Sequence, residues 1–133
     1  MSVKYLYLLA AAGVIGCATT AANTGAHRAN DLTAAEIAQA HADATTVYDA
    51  IARLRPNWLA PHGTASSSNQ GSEAASVFVD GQLMGDINAL RNISAYQVGS
   101  VHYYNVAEAG GRFGVRAGTT GAIEVIMKTA TDR

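Results

Sequence analysis

The chain has a single cysteine, Cys17, in 133 residues. That scarcity excludes an intramolecular disulfide and a thiolate metal cluster, so stability must come from burial. An excess of either charge is missing as well: nine Lys and Arg stand against ten Asp and Glu, for a net charge of −1. Without a basic field there is nothing to hold a nucleic acid, and none is expected as a partner. Long apolar runs are also absent. The one candidate ends at Ala18 and passes into Thr19, Thr20, Asn23 and Thr24, short of the roughly 20 apolar residues that a membrane-spanning helix needs.

What is present begins at the N-terminus. Lys4 supplies a positive start, 5–15 is almost uninterruptedly apolar, and Gly16 is small. This is the layout of a secretory signal. Val14-Ile15-Gly16-Cys17 resembles the lipobox of bacterial lipoproteins, with Val14 where Leu is commoner. The resemblance implies a diacylglyceryl group on the Cys17 thiol, cleavage before Cys17, and acylation of the new amine. Two or three acyl chains, at about 0.8 kcal/mol per buried methylene, make a stable anchor. A plain secretory signal with a chance cysteine is the alternative. Ala18 in place of an aspartate favours, by the sorting habit of such lipoproteins, the outer membrane facing the periplasm.

The expected organisation is a signal peptide over 1–16, a flexible tether over 17–30 and one domain over 31–133. Cleavage would leave 133 − 16 = 117 residues, with eight basic and ten acidic side chains once Lys4 is gone. That length suits one compact domain and hardly two. The stretch 19–30 is small and polar with no apolar period, as a tether should be.

Order is expected from Thr33. Thr33-Ala34-Ala35-Glu36 has the spacing of a capping box and predicts a short helix over 34–39. Val47, Ile51 and Leu54 recur at i, i+4 and i+7 and predict a second helix, stopped near Leu54 by Pro56. Trp58 and Leu59 should then fold back on the core. The Ser, Gly and Asn of 61–75 read as a mobile loop.

In 76–84, two β-prone runs flank Asp80-Gly81, the pair that tolerates a two-residue type I′ turn. Asp86 is placed to cap a short helix carrying Ile87, Leu90 and Ile93, and Ser94 to cap a further turn through Gln97. A strand over 98–104 puts Val101 and Tyr103 on one face, His102 and Tyr104 on the other. A glycine-rich connection over 110–121 leads to a last strand over 122–129, where Ile123, Val125 and Met127 share a face. The order helix, helix, hairpin, helix, strand, strand predicts an α+β fold, a small mixed sheet with short helices packed on it.

The region 77–129 resembles the plug domain of TonB-dependent outer-membrane receptors. The pieces stand in order: Val77-Phe78-Val79-Asp80-Gly81, then Leu90 and Ile93, then Val98 to Tyr104, then Ala109, Phe113-Gly114 and 118–126. The helix expected over 47–54 also sits where the plug has one before its hairpin. The resemblance implies a plug-like fold. The large barrel that surrounds a receptor plug has no counterpart in these residues, so barrel transport does not follow, and fold does not imply function. A plug-like domain on a lipid tether resembles the short stand-alone plug-like lipoproteins of some bacterial envelopes.

His27, His41, His62 and His102 are scattered, with no pair at helical i, i+4 spacing and no Glu or Cys partner of a zinc site, so no metal and no cofactor is expected. Ser66-Ser67-Ser68 lacks a nucleophile elbow and reads as linker. Gly110-Gly111-Arg112-Phe113-Gly114 offers amides and an arginine, without the strand-loop-helix context or Lys-Ser/Thr ending of a P-loop. Asn92-Ile93-Ser94 matches a glycosylation triplet and reads as a helix end followed by a cap. Arg112 and Arg116 in the glycine-rich loop, with Tyr104 and Trp58, are candidate partner-binding residues, since Arg, Tyr and Trp are enriched in binding hot spots. Trp58 can equally fill the core. The reading is a non-enzymatic, lipid-anchored cell-envelope protein that binds an envelope or membrane protein. Its alternative is a periplasmic or surface module for a small molecule or glycan.

Overall fold

The computed structural model describes residues 29–61 and 74–132. The signal, Cys17, most of the tether, His27, His62 and Ser66 to Ser68 lie outside the described residues. Ala29 and Asn30, read above as the end of the tether, are helical.

Among the described residues, three α-helices begin with a reciprocal cap. In α1 (Ala34–Ala40) Thr33 accepts from the Glu36 amide while Glu36 reaches back to the Thr33 amide. In α2 (Val47–Leu54) Thr46 and Asp49 do the same, and in α3 (Val106–Phe113) Asn105 and Glu108 do so. These bonds satisfy amides that a helix start otherwise leaves without partners. After α2 the chain turns through a 3₁₀ segment, Pro56–Leu59, which buries Trp58. Asp86 caps the Asn88 amide of a 3₁₀ helix, Ile87–Asn92. The turn Ala95–Gln97 follows without a side-chain cap from Ser94, contrary to expectation.

Strands β1 (Asp31–Thr33), β2 (Ser76–Val79), β3 (Gln82–Gly85), β4 (Val98–Tyr104) and β5 (Ala122–Met127) form one open mixed sheet in the order β1-β4-β5-β2-β3. All neighbours are antiparallel except β2 and β5. The β2–β3 turn has positive φ at both Asp80 (47°) and Gly81 (81°), the type I′ geometry expected of Asp-Gly. The fold is α+β, an open five-stranded sheet with short helices and no barrel.

One sheet face carries the main core: Leu32, Val77, Val101, Ile123 and Val125 pack against Ile37, Val47, Ile51, Trp58 and Leu90. The alternation seen in β4 and β5 therefore points where the sequence placed it. Two elements differ from expectation. β1 was not foreseen, and the connection read as loop from Gly110 is in its first part the end of α3, which packs on the opposite sheet face. No helix among the described residues is long and apolar enough to cross a membrane.

Candidate functional site

The second sheet face brings chemistry-bearing side chains together. Asp31, His102, Glu124, Phe78 and Leu83 pair in turn across β1, β4, β5, β2 and β3, so one cross-strand row spans the sheet. Because side chains alternate along a strand, Tyr104 and Ile126 share this face. Helix α3 covers one end of it. There Phe78, Ala109, Ala117 and Ala122 form a small cluster separate from the main core, with Tyr104 and Phe113 packed against it.

At the border of the covered area lies a buried carboxylate. Glu124 is 3 % exposed and accepts from Arg112 Nε at 2.9 Å and Nη2 at 3.1 Å, and from the Tyr104 hydroxyl at 2.9 Å. A buried charge demands such pairing, and the two-pronged guanidinium supplies it in fixed geometry. Arg112 also lies 5.4 Å from the Tyr104 ring centroid and 5.5 Å from that of Phe113, whose ring stacks on Phe78 at 3.8 Å. Burial, reinforced by the bond to the Glu124 carboxylate, pushes the Tyr104 phenol up to about 12. The hydrogen bonds and charge of Glu124 raise Arg112 further above its ordinary value.

Beside this group His102 Nδ1 bonds Asp31 Oδ1, tying edge strand β1 to β4, and the His102 ring leans on Tyr104 at 4.2 Å. His102 and Tyr104 thus connect the two acid groups, Asp31 and Glu124, into one polar strip. Among the described residues no group of three His, Cys, Asp or Glu could hold a metal.

The four candidate partner-binding residues fare differently. Arg112 and Tyr104 come together on Glu124, and Arg112 keeps about half its side chain exposed, at 51 %. Arg116 is exposed in the 3₁₀ turn Gly114–Ala117, beside Val115, which is 99 % exposed. Trp58 is a correction: at 1 % exposure, stacked with Tyr103 at 5.8 Å, it fills the main core and cannot meet a partner in the closed fold.

Sequence reasoning missed Glu124, Asp31 and His102 as a set. Glu124 did carry a signal, as the sole charged residue inside an apolar strand of alternating pattern. Also missed was the edge at β3, exposed at all four residues, where Met84 stands unpaired in a bulge between the pairs Val77–Gly85 and Phe78–Leu83. No family model, curated protein or solved structure matches this chain.

Proposed function

We propose that the chain is a lipid-anchored, non-enzymatic cell-envelope protein whose plug-like α+β domain docks another envelope protein, as a peripheral subunit of a membrane complex. The anchor would be acylated Cys17, with the outer membrane, periplasmic side, as its location. The observation that carries the docking reading is the tip formed by the Gly114–Ala117 turn, where Val115 stands almost wholly in water with Arg116 beside it. A fully exposed apolar side chain gains free energy when a partner covers it, and the arginine beside it is of a type enriched in binding hot spots. The acidic groups behind it support the same reading, because Glu124 is occupied by Arg112 and Tyr104, and Asp31 by His102.

The test is a mild-detergent pull-down of the tagged, lipidated protein from its native membranes, with intact mass of the bait. Acylation at Cys17 and a stoichiometric membrane protein, lost in a folded Val115→Asp, Arg116→Glu variant, is the expected result. A partner retained by that variant removes the tip from the interface. An acylated bait that emerges alone returns the weight to a small-molecule or glycan module, and an unacylated bait overturns the anchor.

A further inference from the structure

We infer that α3 and the turn after it, 106–117, form a flap that unwinds and leaves the sheet in one cooperative step while the rest of the domain stays folded, uncovering Phe78 and the Glu124 carboxylate. Its attachment is slight. Of the eight residues of α3 only Ala109 is buried, and in the turn after it only Ala117; the other attachments include the Phe113 ring on Phe78 and Tyr104, the Arg112 fork on Glu124 and the bond from Ser76 Oγ to the Ala117 carbonyl. The apolar cluster these make with the sheet is separate from the main core, which lies across the sheet and shares no buried residue with it. Lifting the flap therefore leaves β4, β5 and β2 paired and packed. Elements with few buried apolar contacts are the ones that open below the free energy of global unfolding.

The helix is weak on its own account as well. Gly110 and Gly111 are adjacent in its interior, each lowering helix formation about fivefold relative to alanine. Packing does not require either glycine, since nothing lies within 4 Å of the Cβ that each would carry. Just past the segment, Gly118 at φ of 66° forms the bend by which the chain leaves the flap for β5. Opening would exchange a rim of Arg112 for an aromatic floor and a carboxylate held by the Tyr104 hydroxyl alone, a surface of opposite charge. The flap stands whether or not the domain docks a partner.

Native-state hydrogen exchange on the full chain in low denaturant tests it. The hydrogen-bonded amides of Ala109 and Gly114 report on the flap, and Val101 and Val125 on the sheet. We expect Ala109 and Gly114 to exchange together, at least 100-fold faster than the sheet amides and with little dependence on denaturant. Ile51→Val should speed the sheet amides and leave the flap amides unchanged. Gly110→Ala with Gly111→Ala should slow both flap amides, by about 25-fold. Flap and sheet amides sharing one free energy and one denaturant slope would overturn the proposal. So would fast exchange at Gly114 with Ala109 as protected as the sheet, which is fraying of a helix end.

Discussion

Glu124 is the residue on which the second sheet face turns. A carboxylate taken out of water is costly unless paired, and here Arg112 and Tyr104 occupy both oxygens. Arg112→Ala removes two charge-assisted bonds and leaves the buried acid with one donor. Because half of the Arg112 side chain is in water, the loss should be about 1.5–3 kcal/mol, the worth of such bonds, read from the urea midpoint. Arg112→Met combined with Glu124→Leu should recover most of it, since an apolar pair leaves no charge behind.

Tyr104 adds a pH signature. Its folded value of about 12 stands above the ordinary 10.0, so between those values the folded state holds a proton that the unfolded state has lost. Its stabilisation is therefore complete below about pH 10 and falls away as pH rises toward 12. Melting temperatures across that window should drop more steeply for the parent than for Tyr104→Phe.

At the scale of elements, the first two helices and the hairpin turn were readable because their causes are local. Thr33 and Glu36 bond each other three residues apart, and a box of this kind is visible in any linear reading. The same spacing recurs in Thr46-x-x-Asp49 and Asn105-x-x-Glu108, and the second of these marked α3, which the glycines of 110–121 obscured. Thr46→Ala should cost about 1 kcal/mol in denaturant unfolding, the usual loss on removing such a cap. β1 was illegible because three residues with one buried apolar side chain carry no period. Its existence depends on β4, and its pairing is supported by His102 on Asp31 and by Arg55, which bonds both Glu36 and the Asp31 carbonyl. The β5 entry is equally dependent on a neighbour. Gly121 has φ of 91°, and a Cβ there would sit 2.7 Å from the Tyr104 carbonyl oxygen. Gly121→Ala should destabilise by at least about 1–3 kcal/mol, the range for a residue forced into such a conformation, with the largest amide shifts at Tyr104 and Ala122.

The whole molecule is a sheet loaded unequally on its two faces. Among the described residues, α1, α2 and the Trp58 turn close a continuous core on one side, and α3 covers only part of the other. Ile51→Ala, at the centre of the first side, should lose about 2–5 kcal/mol, the range for emptying a buried aliphatic position. Trp58 is the one tryptophan and is buried in that core, so its fluorescence reports the main transition, while the flap is silent to it. The candidate docking tip and the polar strip both belong to the lightly covered side.

By itself the sequence determined features whose causes lie within a few residues: the capped helix start at Thr33, the stop at Pro56, the Asp-Gly turn, and the inward and outward faces of β4 and β5. Its composition adds a single cysteine, which leaves no second thiol for a disulfide within these residues, and a near balance of acidic and basic side chains. Only the tertiary structure decided the strand order, the parallel pairing of β2 with β5, and the meetings of Arg112 with Glu124, 12 residues apart, and of His102 with Asp31, 71 apart. Periodicity tells a strand which face to bury but not beside which strand to lie. That choice follows from how all the apolar faces close over one another, which no local window contains.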